Sequence, residues 1–270
     1  MKVLFIGDIT GSSGRKIVAE ELKQLKDTHE VDLTIANVEN AAHGIGVTPK
    51  IVRQLSEMGV DVMTGGNHLF DKKEIIDELV DFPYLLRGVN YFGEVPGNFS
   101  FTGKVGDTPY LVATFIGRTF MGTYDSPFHR FDSFIRDFDN IPVKIVDFHA
   151  EATSEKIAFA RYVDGRVSAL IGTHTHVQTA DEQILPQGTA YISDVGMTGP
   201  HDGIIGMNTE SVMPRFLTGL PTRFEPAEGK TKLHAVILDI DDVTGKAHSI
   251  SRVSVDRMVS EEISEPDGNR

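Results

Sequence analysis

Two histidines one residue apart, His174 and His176, follow the apolar run Ser168 to Ile171 and a glycine. At the end of a strand such a pair can aim two imidazoles into one crevice, each at a different metal ion. A lone His-x-His is more often two polar loop residues. Here four other apolar runs also end in metal-ligating residue types. Asp8 follows Val3 to Ile6, Glu39-Asn40 follows Leu33 to Ala36, Asn67-His68 follows Val60 to Met63, and His149 follows Val143 to Phe148. Open α/β sheets place their ligands at the carboxyl ends of strands, so Asp8, Glu39, Asn40, Asn67, His149, His174 and His176 are expected to converge. Carboxylate, amide and imidazole donors without sulfur suit Mn, Fe or Zn better than Ca or Mg. Seven donors exceed one four-coordinate site and fit two ions sharing a bridging carboxylate. Two ions roughly 3.5–4 Å apart clamp phosphate oxygens and deprotonate a bridging water for in-line attack.

Alternating strands and helices must position these residues. The apolar face Val18, Leu22 and Leu25 predicts a helix from about Arg15 to Lys26 after the turn Gly11 to Gly14. That turn lacks the Gly-Lys-Ser/Thr ending of a phosphate-binding loop. Thr48-Pro49 caps a second helix with Ile51, Leu55 and Met58 inward. Gly65 and Gly66 let the backbone approach whatever Asn67 and His68 hold. A third helix is expected over Asp71 to Val80 with Ile75, Ile76 and Leu79 inward, and Phe128, Phe131, Ile135 and Phe138 form a core stripe on a fourth. Ser154 is expected to cap the helix after His149. Strands are expected at Tyr84 to Leu86, Leu111 to Ile116, Ala190 to Ser193, Leu233 to Ile240 and Ile250 to Val255, with Gly196 to Gly199 and Gly203 to Gly206 as tight loops at the pocket rim. The result is a layered α/β architecture.

Composition narrows the function. The 270 residues are 40% hydrophobic and 24% charged, with a net charge of −13 and no cysteine. Disulfides, thiolate metal sites and a cysteine nucleophile are excluded, and a cytoplasmic home is expected. No apolar run approaches the roughly 18 to 20 residues of a membrane helix, and the N-terminal run is too short for a signal peptide. The acidic balance disfavours gripping duplex nucleic acid, whereas a small anion held by metal cations remains compatible.

The order Asp8-x-Thr10, Glu39-Asn40, Gly66-Asn67-His68, His149, Gly172-x-His174-x-His176 resembles the calcineurin-like metallophosphoesterases. It is more similar to their YmdB-like bacterial phosphodiesterase branch, through Glu39-Asn40-Ala41-Ala42-His43-Gly44, Asp147 to Lys156, Gly172 to Asp181 and Asp194 to Pro200. The resemblance runs from about residue 1 to 255. It implies an α/β/β/α sandwich with the metal site at strand carboxyl ends, in one domain over residues 1–260 with a polar tail at 261–270. It further implies two metal ions, Fe or Mn ahead of Zn: one on Asp8, Glu39, Asn40 and His176, the other on Glu39, Asn67, His149 and His174, with Glu39 bridging. Thr10 stands where the wider superfamily has a histidine, and Asn40 is expected to supply the missing contact. The implied activity is a phosphodiesterase on small diesters such as 2′,3′- or 3′,5′-cyclic nucleotides, by attack of a metal-bridging hydroxide, in a homo-oligomer.

His68 has no metal in this scheme. It either protonates the leaving oxygen or steadies transition-state charge, or it merely orients Asn67. Asp147 is either a partner of His149 or a surface aspartate. His43, Arg118 and His201 either touch substrate or are ordinary loop residues, while His29, His129, His234 and His248 are assigned to surface or packing. A phosphomonoesterase, a nuclease and a nucleotide-sensing regulator that keeps its metals stay open as alternatives.

Overall fold

In the first strand, β1 (Lys2–Ile6), Val3 to Ile6 are all fully buried. Successive strand residues point to opposite faces, so both faces of this sheet need a covering layer. The computed structural model, which describes residues 1–257, supplies both. The chain continues through β2 (Asp8–Ile9), α1 (Gly11–His29), β3 (Leu33–Asn37), α2 (Pro49–Glu57), β4 (Val62–Thr64), α3 (Glu74–Glu78) and β5 (Leu85–Leu86) to the hairpin of β6 (Ser100–Val105) and β7 (Thr108–Ile116). There follow α4 (Pro127–Ile135), β8 (Val143–His149), α5 (Thr153–Val163), β9 (Ala169–Thr173), β10 (Gln183–Ile184), β11 (Ala190–Ile192), β12 (Met197–Pro200), α6 (Thr209–Thr218), β13 (Thr231–Ile240) and β14 (Ala247–Arg257).

Among the described residues the strands form an eight-stranded and a six-stranded sheet. β1, β3, β4 and β5 run parallel in the first, and β13 joins β1 antiparallel. In the second, β7, β8, β9 and β11 are parallel, with β6 and β10 antiparallel at the edges. Val3, Phe5 and Ile35 face Val112, Ile145 and Ile171 across the space between the sheets. Leu4 and Ile6 face the opposite way, onto Ile17, Leu22 and Leu55 of α1 and α2. Phe115 and Phe148 pack under Phe131 and Phe159 of α4 and α5. The order of layers is α/β/β/α, as the resemblance implied. Among the described residues no helix is long and apolar enough to cross a membrane.

Several elements differ from expectation. Helix α1 begins at Gly11 rather than Arg15, because Gly14 is a contact point inside it: an added Cβ there would lie 2.3 Å from the Thr198 carbonyl oxygen. Ile76 is 37% exposed rather than inward, because inside α3 it lies one position off the buried stripe of Ile75 and Leu79; α3 itself stops at Glu78 and tightens into a 3₁₀ turn over Leu79–Asp81. Ser154 lies inside the first turn of α5, whose cap position is Ala152. The stretch Met197–Pro200 is strand β12, not a loop, because it pairs with Asp8–Ile9 on one side and with Lys232 and Thr231 on the other. Helix α6, with Pro214 inside it, was not anticipated at all. The tail expected at residues 261–270 lies outside the described residues.

Phe159 is fully buried and meets Phe115, Phe128, Phe131 and Phe148 at centroid distances of 4.4 to 5.7 Å. Phe159→Ala is expected to cost about 3–5 kcal/mol. Urea denaturation should show a lower midpoint at unchanged slope, and an unchanged midpoint would contradict this packing.

Candidate active site

Five strand ends deliver the donors the sequence singled out. Asp8 is pinned where its N–H donates to the Gly196 carbonyl (3.1 Å). Glu39, Asn40 and Asn67 follow β3 and β4, His149 ends β8, and His174 and His176 follow β9. Gly66 is needed for the approach, since a Cβ there would sit 2.1 Å from the His149 ring. Asp8, Glu39 and His149 are fully buried, and Asn40 nearly so.

Each of the three imidazoles is held by its outward nitrogen. Thr173 Oγ1 donates to Asp147 Oδ1 (2.7 Å), so it accepts from His149 Nδ1–H (2.8 Å). The neutral His149 ring then turns an Nε2 lone pair inward. Glu151 takes His174 Nε2 (3.2 Å), leaving Nδ1 inward, and the Ile205 carbonyl takes His176 Nδ1 (3.0 Å), leaving Nε2 inward. These partners fix ring orientation and tautomer, as carboxylates and carbonyls do behind metal-bound histidines.

The inward atoms form two overlapping groups. His149 Nε2 lies 3.0 Å from Glu39 Oε1, from Asn67 Oδ1 and from His174 Nδ1. All four are lone-pair donors, so only a cation between them satisfies them together. On the other side His176 Nε2 lies 3.2 Å from Asn40 Nδ2 and 3.7 Å from Asp8 Oδ1. Asp8 Oδ1 is buried without any hydrogen-bond partner, and a cation's charge would satisfy it. A half-turn of the Asn40 amide exchanges Nδ2 for Oδ1 as the inward atom. Glu39 Oε1 belongs to both groups, being 3.4 Å from Asn40 Nδ2, while Glu39 Oε2 accepts the His68 N–H at 3.0 Å. Glu39, His149 and His174 together can hold a metal ion.

Electrostatics tell the same story. Burial pushes Asp8 up to about 6, despite the pull of His176. Burial also raises Glu39, but His149 beside it outweighs this and brings it down to about 2. The smallest cation that can sit among these lone pairs is a proton: burial depresses His149, yet Glu39 raises it overall to about 9. His174 falls to about 3 through its own burial and the neighbouring His149.

The model of the YmdB-like protein family matches residues 4–253. The chain belongs to this family. It is 51% identical, over 94% of its length and 97% of the relative's, to a Bacillus subtilis (strain 168) protein named 2′,3′-cyclic-nucleotide 2′-phosphodiesterase. A solved structure of a Thermus thermophilus protein, 42% identical, superposes with a TM-score of 0.90 over 95% of this chain and 99% of that one. The crystal structure of a Mycoplasma pneumoniae phosphatase, 34% identical, gives 0.91 over 96% and 94%.

His68 sits at the rim, partly exposed, with Nδ1 bonded to Asp71 Oδ2 at 2.7 Å. Asp71 was not singled out in the sequence; its position three residues after His68 was the available signal. Asp147 is fully buried, not a surface residue, and also accepts from Asn37 and Thr64. Asn37 went unnoticed because an amide inside an apolar strand has no spacing to mark it. The larger omission is Lys156. Its ammonium pairs with Asp194 at 2.8 Å, both side chains at most 2% exposed. Asp194 Oδ2 also accepts from Thr175 N (3.0 Å) and Oγ1 (2.7 Å), between two histidines whose φ angles are +96° and +65°. The left-handed conformations of His174 and His176 are costly for side-chain-bearing residues, and the Thr175–Asp194–Lys156 clamp holds them. His43, Arg118 and His201 are not among the converging groups. His43 is exposed, Arg118 has its backbone N–H bound to Glu155, and His201 meets the His234 ring edge-to-face at 4.8 Å.

Lys156→Met leaves the Asp194 charge buried and unpaired, at a cost of about 3–5 kcal/mol. Denaturation should register this loss together with weaker metal retention, and full retention would refute the clamp. Metal entry must expel the His149 proton, so affinity should rise about tenfold per pH unit below about 9 and level off above it. Calorimetric titration at several pH values measures the slope; a flat profile would count against His149 as a ligand.

Proposed function

We propose that this chain is a metal-dependent phosphodiesterase acting on small phosphate diesters, with 2′,3′-cyclic nucleotides as the first candidates. The observation that carries the reading is the three imidazoles tethered from behind, their lone pairs converging with Glu39 and Asp8. Two ions fit the donors best: one on Asp8, Glu39, Asn40 and His176, the other on Glu39, Asn67, His149 and His174, with Glu39 Oε1 common to both. When bound, such ions supply Lewis acidity towards the phosphate and a nucleophile from water at neutral pH. Fe or Mn suits the oxygen-rich half better than Zn. The single domain expected over residues 1–260 carries the whole site.

The protein's own groups do the rest. Asp71 holds the His68 ring by Nδ1, so Nε2 is the nitrogen that exchanges a proton with substrate. In the relative named a 2′-phosphodiesterase, the bond broken is that between phosphorus and the 2′ oxygen. Carried to this chain, water adds to phosphorus, the bond to O2′ breaks, and His68 gives its proton to the departing oxygen. The product is a 3′-phosphate monoester. Asp71 fixes the ring with Nε2 free, which suits a catalytic role for His68 rather than that of a spacer for Asn67.

Elemental analysis with added Mn should give about two metals per chain, and 2′,3′-cyclic AMP should turn over to the 3′-monophosphate faster than 3′,5′-cyclic AMP, with p-nitrophenyl phosphate as the monoester control. His68→Ala should keep both metals and lose about 10²–10⁴-fold in rate. Glu39→Gln should lose metal and rate together. Full activity in His68→Ala would remove it from the mechanism, and a protein that takes up no metal would overturn the whole reading.

A further inference from the structure

The end of the sandwich opposite the metal donors carries a second cavity. Four turns meet there, at the starting ends of β7, β8 and β9: the approach to β8, the turn between α5 and β9, the turn before β11, and the β13–β14 turn. They enclose about 530 Å³, within the range of small-molecule sites. Its charged lining is Lys144, Arg166 and Lys246 against Asp139 alone. Arg166 is already paired with Asp132, so Lys144 and Lys246 stand against Asp139 in a chain whose net charge is −13.

Lys246 stands exposed on the β13–β14 turn, whereas Lys144 is half-buried. Among the described residues no carboxylate oxygen lies within 4.0 Å of the Lys144 or Lys246 ammonium. Arg166 is fixed by Asp132 at 2.7 Å and stacks over the Phe131 ring at 4.7 Å, so its position is preset. Lys144 is the odder residue. Strand alternation puts Val143 and Ile145 between the sheets and Val146 and Phe148 towards the helices, so Lys144 stands on the face that holds the outer apolar layer. Burial lowers its basicity, and Asp139 only partly opposes this. A half-buried ammonium without a partner is a cost that a hydrophobic residue there would avoid. The other acids nearby are occupied: Asp164 accepts from Gln187 and Thr189, and Asp241 from Val243 and Thr244.

The walls are rigid and close-fitting. Gly245 passes so near the Pro142 carbonyl that an added Cβ would lie 2.0 Å from it, and the Lys246 stem packs on Gly188. Ile141, Pro142 and Val167 supply an apolar side. An open depression with two ammonium groups free of carboxylate contacts and an apolar wall suits a phosphate group attached to an organic moiety.

We propose that this cavity is a second binding site, distinct from the metal centre, for a nucleoside monophosphate or a similarly sized phosphate monoester. The phosphate sits between Lys144 and Lys246, and the organic part lies against Ile141 and Val167.

Hydrogen exchange on the intact protein localises binding without interference from the catalytic end. Adenosine 5′-monophosphate should slow exchange in 139–146, 164–167, 187–188 and 243–246. Inorganic phosphate should do so more weakly, and adenosine not at all. In Lys144→Met/Lys246→Met the protection should vanish and the affinity at this site fall at least about tenfold, while hydrolysis of bis-p-nitrophenyl phosphate is unchanged. Lys144→Arg/Lys246→Arg should keep the protection, which guards against misfolding as the cause of loss. The proposal is overturned if the segments are not protected, if adenosine protects them as well as its phosphate does, or if the methionine variant still binds.

Discussion

Everything in this molecule leans on one electrostatic constraint, the packing of several lone pairs into one largely buried crevice. Glu39 Oε1, Asn67 Oδ1, His149 Nε2 and His174 Nδ1 crowd together at 3.0 Å spacings around the His149 nitrogen. Such a cluster is repulsive by itself and becomes favourable only around positive charge. The surroundings therefore have to hold it open. Three outward nitrogens are tied down, Glu39 Oε2 is engaged by the His68 amide, and two histidines are kept at positive φ. Strain stored at a site requires a rigid frame elsewhere, and the buried Lys156–Asp194 pair supplies it through Thr175.

The same constraint explains why two sheets are needed. Glu39 and Asn67 come from the first sheet, and His149 and His174 from the second. A small shift of one sheet against the other would separate the groups. Directly behind them, Asp147 on β8 accepts from Asn37 on β3, Thr64 on β4 and Thr173 on β9. This fully buried carboxylate joins both sheets at the base of the site, where the apolar contacts between them cannot set a register by themselves. Its three donors favour ionisation, while burial opposes it and raises its pKa overall. Asp147 thus supports His149 through Thr173 and locks the sheets with the same two oxygens.

The convergence of these residues was legible in the sequence because their chemistry is rare at strand ends and five strand ends repeat the pattern. The apolar runs Val3 to Ile6 and Leu111 to Ile116, the second interrupted only by Thr114, likewise announced strands covered on both faces. What stayed hidden depended on distance along the chain. The Lys156–Asp194 pair spans 38 positions and Asn37–Asp147 spans 110, and neither a lysine on a helix nor an amide in a strand advertises a partner. Helix α6 was missed because Pro214 is a helix breaker in most settings, and β12 because its glycines suggest a loop until Asp8 and β13 pair with it. Ile76 shows the opposite error: it lies inside α3, one position off the buried stripe of Ile75 and Leu79, and so faces outward.

Thr10 shows how a departure from the wider superfamily is absorbed. Its hydroxyl turns back onto the Asp8 carbonyl at 3.2 Å, so it offers nothing to the crevice. Asn40 comes in from the other side, its amide 3.2 Å from His176 Nε2. Its own backbone carbonyl is anchored by the Gly11 N–H at 2.9 Å, which ties this residue to the first turn of α1. That half of the site exchanges an imidazole for a neutral amide, and its remaining donors are two carboxylates and one imidazole. Fewer nitrogens and more oxygens favour a harder ion there than in the half built on His149 and His174. The asymmetry lies in the donors themselves, so under the proposed two-ion arrangement the halves should differ in which ion each would hold more tightly, with Glu39 common to both.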